Sequence, residues 1–154
     1  MLAVIASPEF AREDAAWIDA IRRAHDPQYD AVPAHVTLVF PFESADPDWF
    51  AGHVAAVAAV TAPVAVAFDR LARIENPQQP KYRFLNALLA DAQSTAPLTA
   101  LYRALSGKGD YEPHVTLTRF GAVFSAKALE RQMGELQRPV RGRIASLELL
   151  EIRH

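Results

Sequence analysis

Short apolar runs alternate with stretches of helical periodicity along the whole chain. Leu2 to Ala6 is continuously apolar and reads as a buried strand. Ser7-Pro8-Glu9 then has the signature of a helix start: a capping hydroxyl, a proline at the first helical position and an acidic first turn. The predicted helix runs to about Ala24, with Phe10, Trp17, Ile18 and Ile21 on its inner face, and Asp26-Pro27 ends it. Val32 to Phe42 is the next strand. Asp46-Pro47-Asp48 opens a second helix in which Phe50, Val54, Val57 and Thr61 recur at helical spacing. Pro63 closes that helix before the strand Val64 to Phe68.

Glu75 to Pro80 is polar, carries two prolines and reads as a linker, with a lid as the other reading. Beyond it the pattern resumes with a strand from Tyr82 to Ala90. Ser94 or Thr95 caps a helix bearing Leu98, Leu101, Tyr102 and Leu105 on one face, and Gly107 stops it. His114 to Phe120 is a strand, Ser125 caps a helix with Leu129, Met133 and Leu136, and Arg143 to Ile152 is the last strand.

The order strand, helix, strand, helix, strand therefore occurs twice. His35-Val36-Thr37-Leu38 recurs as His114-Val115-Thr116-Leu117, with Pro33 and Phe40 echoed by Pro113 and Phe120. Residues 1–154 read as one α+β domain of two pseudo-equivalent lobes, about 1–74 and 81–154, with exchange of elements between them left open.

Composition narrows the chemistry. The 154 residues include no cysteine, which removes thiolate nucleophiles, disulfides and Cys-based metal centres. With 16 Lys+Arg against 18 Asp+Glu, the chain is no basic nucleic-acid coat, so any phosphate recognition is local. The N-terminus lacks a basic region before its apolar run, and no apolar stretch approaches the roughly 20 residues of a membrane span. These features predict a cytoplasmic globular domain with no membrane or DNA partner, and a monomer is the working expectation.

In a strand, residues i and i+2 share a face. His35 and Thr37 therefore point together, as do His114 and Thr116, while Val36, Leu38, Val115 and Leu117 turn into apolar packing. Each lobe thus holds an imidazole and a hydroxyl about 7 Å apart on a rigid element. Across a shared cleft, one neutral imidazole can take a proton and one imidazolium can give one. Threonine hydroxyls can hold the non-bridging oxygens of a phosphodiester. Such a set calls for neither cofactor nor metal.

The paired motifs resemble the His-x-Thr/Ser-x signatures of the 2H phosphoesterase superfamily. The wider stretches Pro33 to Phe42 and Pro113 to Phe120 are similar to its bacterial 2′-5′ RNA ligase-like branch, which includes RNA 2′,3′-cyclic phosphodiesterases. The resemblance implies two lobes, each with an antiparallel sheet and helices, around a central cleft. It also implies metal-independent opening of 2′,3′-cyclic phosphates at RNA 3′ ends or on small nucleotides, with reversible 2′-5′ ligation in some members. Carried over, His35 and His114 are the acid and the base, with His114 favoured as base, and Thr37 and Thr116 hold the phosphate. Arg119 matches an auxiliary phosphate contact, although strict alternation turns it away from His114 unless a bulge intervenes. Other readings are a 2H hydrolase of another cyclic or 2′,5′-linked nucleotide, such as ADP-ribose cyclic phosphate, and a non-catalytic RNA-end binding module.

Tyr29, Tyr82, Tyr111 and Phe42 are candidates to stack on a base, with Tyr111 first because it lies nearest a motif. Packing is the competing reading for each. His25, His53 and His154 suggest no role, and Arg138, Arg141 and Arg143 read as a solvated turn.

Overall fold

The computed structural model describes residues 1–153; His154 lies outside them. In order the chain forms β1 (Leu2–Ala6), β2 (Glu9–Phe10), α1 (Arg12–His25), β3 (Val36–Phe42), α2 (Pro47–Ala59), β4 (Val64–Glu75), β5 (Phe84–Ala90), α3 (Ala92–Ser106), β6 (His114–Phe120), α4 (Val123–Met133), β7 (Val140–Ile144) and β8 (Glu148–Glu151). The α+β class follows. The strands join edge to edge in the order β2-β7-β4-β5-β6-β3-β1-β8, every pair antiparallel.

That order records a reciprocal exchange. β4 leaves the first half of the chain and pairs with β5 of the second, Phe68 to Glu75 against Ala90 to Phe84. β8 comes back from the end of the chain to pair with β1. The three strands β8-β1-β3 thus mirror β4-β5-β6, and the halves meet at β3 and β6. The lobe boundary expected near residues 74 to 81 does not divide this arrangement. It falls in the β4–β5 hairpin, where the Asn76 amide donates to the Arg83 carbonyl at 2.6 Å and Glu75 pairs with Arg83. Glu75 to Pro80 is therefore the connection of a hairpin rather than a free linker.

Four local expectations give way to tertiary contacts. Ser7-Pro8-Glu9 does not start α1. Glu9 and Phe10 instead pair with Arg143 and Gly142 of β7, the Phe10 ring lies 6.1 Å from that of Phe68, and the helix begins after Ala11 with no side-chain cap. Gly142 suits the close approach, because a Cβ there would sit tightly against the Glu9 carbonyl oxygen at 3.1 Å and the Phe10 ring at 3.2 Å. The expected last strand is two strands, since residues 140–144 pair with β4 and residues 148–151 with β1. Asp91, not Ser94 or Thr95, caps α3 by accepting from the Ser94 amide at 2.7 Å. The Ser94 hydroxyl is spent on the buried Ala67 amide. α4 begins after Ala122, ahead of Ser125.

Elsewhere local chemistry prevails. Asp46 caps α2 through the Trp49 amide, and Gly107 ends α3 at φ 71°. Leu98, Leu101, Tyr102 and Leu105 are all buried. The core runs beneath the two motif strands: Val36, Leu38, Val115 and Leu117 have no solvent exposure. Among the described residues no helix is long and apolar enough to cross a membrane.

Candidate active site

Val36 lies opposite Val115 where β3 and β6 meet. In an antiparallel pair this register sets His35 across from Thr116 and Thr37 across from His114. The two valines are buried and the four motif residues are half-buried, so all four stand on the opposite face from the core. His35 and His114 occupy one diagonal of this square, roughly 7–8 Å apart at the backbone. The four residues taken from the repeated motif are thus brought together.

The imidazoles are held alike. His35 Nδ1 lies 2.8 Å from the Pro33 carbonyl oxygen, and His114 Nδ1 lies 2.9 Å from the Glu112 carbonyl oxygen. A carbonyl oxygen only accepts, so each contact puts the proton of a neutral ring on Nδ1 and leaves the Nε2 lone pair free. Burial pushes both imidazoles below their ordinary range, and the backbone contact opposes this in each. The charge of Arg119 lowers both, Arg22 adds to the effect at His35, and Asp26 and Glu112 act the other way on His35 and His114 respectively.

A bulge accounts for Arg119. Ala87 pairs with Thr116 but Asn86 pairs with Thr118, so β6 carries one extra residue at Leu117. The Thr118 hydroxyl accepts from the Asn86 amide at 3.1 Å and donates to the Asn86 side-chain oxygen at 2.7 Å. Both Leu117 and Thr118 are buried, and the alternation resumes one residue out of step. Arg119 is thereby returned to the histidine side. β3 repeats the device: Ile5 pairs with Thr37 and Val4 with Val39, with Leu38 and Val39 both buried. At the matching position Phe40 stands 48% exposed. Its offset from His35 equals that of Arg119 from His114, a signal that marks it once the bulge is known.

Arg119 is also held from behind. Its Nη1 donates to Asp26 Oδ1 at 2.6 Å, and Asp26 Oδ2 accepts from Arg22 Nε at 3.2 Å. In the sequence Asp26 marks only the end of a helix, and Arg22 belongs to no motif. The available signal is the i, i+4 spacing of Ile18 and Arg22, which places a charge on the inner face of α1, with Asp26 following as the helix C-cap.

Tyr111 is placed differently from the first-choice stacking ring. Its ring lies against Tyr102 at 4.2 Å and 6°, and its hydroxyl donates to the Thr37 carbonyl at 2.6 Å. Burial pushes the phenol well above its ordinary value, so it stays a donor. Tyr29 is engaged with Asp19 and Arg23, and Phe42 packs edge-on against Phe50. His53 contacts the Ala104 carbonyl, His25 lies against Phe120, and Arg138 pairs with the buried Asp14 rather than only with solvent.

Comparison with known proteins identifies the class, a 2H phosphoesterase. Sequence and shape agree. The chain belongs to the 2′-5′ RNA ligase superfamily, whose family model matches residues 10–154. A solved structure of Kluyveromyces marxianus Usb1 is similar in fold, with a TM-score of 0.63 over 97% of this chain and 92% of that one at 11% identity. No curated protein matches the sequence. Family membership supports a phosphoesterase or RNA-processing role and an enzyme of that kind.

Proposed function

We propose that this protein opens 2′,3′-cyclic phosphates at RNA 3′ ends or on small nucleotides by two-histidine acid–base catalysis. The observation that carries the reading is the equivalent presentation of His35 and His114, each with Nδ1 on a backbone carbonyl and Nε2 free.

Water attacks phosphorus and gives its proton to the Nε2 of one imidazole. The P–O3′ bond breaks, and the other ring, as imidazolium, protonates O3′. A 2′-phosphate remains. Thr37 and Thr116 donate to the non-bridging oxygens, and Arg119 adds a positive charge where negative charge accumulates. A 5′-hydroxyl in place of water gives 2′-5′ joining by the same proton transfers. Phe40 offers the face on which the base of the terminal nucleotide stacks. The two histidines carry the proton transfers themselves, so no step requires a metal.

The test is turnover of 2′,3′-cyclic nucleotides and short cyclic-phosphate RNAs with EDTA present, with products separated as 2′- or 3′-phosphates. Formation of the 2′-phosphate is the expected result. Binding without product would overturn the enzymatic reading and leave an RNA-end binding module.

A further inference from the structure

We propose that Asp26 is a positioning residue that ties Arg119 on β6 to the segment carrying His35, so that one buried carboxylate aligns both halves of the site. This rests on the phosphoesterase reading above.

The Asp26 side chain has no solvent exposure, and that of Arg119 only 12%. Oδ1 of Asp26 accepts from Arg119 at 2.6 Å and from the Gln28 amide at 2.9 Å. Oδ2 accepts from Arg22. Arg22, 4% exposed, then donates through Nη2 to the Val32 carbonyl at 2.8 Å. Val32 adjoins Pro33, whose carbonyl holds the His35 ring. A continuous path of hydrogen bonds and two short stretches of backbone thus links Arg119 to His35 through Asp26 and Arg22.

The charges explain why the path needs its centre. Two guanidiniums share one carboxylate, which leaves one positive charge in excess beside the histidines. An anionic phosphodiester supplies the missing negative charge. Without Asp26 the two cations face each other, and nothing holds the Arg119 fork toward the phosphate. Buried ion pairs are poor sources of net stability, since apolar replacements of similar volume are often as stable. Their geometry is the more useful property, because a bidentate-capable guanidinium must be aimed to be of use.

The experiment is a double-mutant cycle of Asp26→Asn and Arg119→Gln, read as kcat/KM on a 2′,3′-cyclic mononucleotide and as affinity for inorganic phosphate. Asp26→Asn is expected to lower kcat/KM roughly tenfold to a hundredfold, the scale of a misplaced catalytic geometry. It should add a much smaller loss when Arg119 is already glutamine, the part that runs through Arg22 to the His35 segment. Independent losses that multiply, or an unchanged kcat/KM in Asp26→Asn, would overturn the proposal. A second readout follows the ring protons of both histidines by NMR during a pH titration. Arg119 lowers the His114 ring and Asp26 does not act on it directly, so Asp26→Asn should move the His114 midpoint upward as Arg119 is released, and should leave it in place once Arg119 is already glutamine; a stationary His114 in Asp26→Asn overturns the proposal. If Asp26→Asn does not fold, Asp26→Asn with Arg22→Met removes the buried charge together with one counter-charge and takes its place in the cycle. Phosphate affinity and the NMR midpoints need no turnover. A wild-type protein that opens no cyclic phosphate therefore refutes the phosphoesterase reading alone, while these measurements still decide the role of Asp26.

Discussion

The Tyr111 hydroxyl donates to the Thr37 carbonyl at 2.6 Å, so the loop leading into one motif strand braces the other motif strand. Stacking on Tyr102 of α3 fixes the strut at its base. Removing the hydroxyl in Tyr111→Phe leaves a partly buried carbonyl without its donor, at a cost of about 1–3 kcal/mol. Urea unfolding should show a lower midpoint with an unchanged slope. Turnover should fall as well, because Thr37 loses its backbone support. An unchanged midpoint would mean that the contact contributes nothing.

Replacing either histidine by alanine should lower turnover of a cyclic phosphate roughly 10²–10⁴-fold with the fold intact. A substrate with a weakly basic leaving group, such as a nitrophenyl phosphodiester, needs no acid. It should restore activity to the variant lacking the acid and not to the variant lacking the base. Single-turnover assays on His35→Ala and His114→Ala then assign the two roles. Rescue of both, or of neither, would refute the division of labour between them.

Both imidazoles titrate below their ordinary value. The active form carries one proton between them, so kcat/KM should peak on the acid side of about 6.5, the unperturbed histidine value. It should decline as pH rises beyond that. Arg119 lowers both rings, so Arg119→Gln should move the profile toward higher pH as well as reducing its height. A profile reduced in height but unmoved in pH would count against the placement of that charge.

The same shifts make a stability prediction. Below about pH 6.5 the unfolded chain takes up protons that the folded imidazoles resist, so the unfolded state binds more protons and stability falls with falling pH until the folded rings also protonate. A double variant with both histidines replaced by glutamine should lose part of this dependence in thermal melts between pH 7 and pH 5.

Gly142→Ala tests the β2–β7 approach. The added methyl meets a backbone oxygen at 3.1 Å and the Phe10 ring and Pro8 at 3.2 Å, so these neighbours must give by a few tenths of an ångström. Overpacking of this kind costs about 1–3 kcal/mol. The melting temperature should drop, while turnover well below the melt stays near wild type because β2 and β7 do not carry the motif residues.

The chain's own pattern was enough to place β1 and β6 and the inner face of α3. Those elements rest on short-range rules: an apolar run, an i, i+3, i+4 stripe and a glycine at a helix end. The repeated His-x-Thr tetrapeptide likewise declared its shared face through the two-residue period of a strand. Arg119 shows where such rules stop. Its face depends on one extra residue at Leu117, and that bulge is defined only against the partner strand β5.

The sequence by itself determined the chemistry: two imidazoles and two hydroxyls on two equivalent strands, with no thiol. Tertiary structure alone decided which strands exchange halves, which carbonyls contact the rings and which carboxylate pairs with Arg119. The physical reason is distance along the chain. Asp26 and Arg119, or Tyr111 and Thr37, lie far apart in sequence, and no local propensity encodes a contact that forms only when β3 and β6 are brought together.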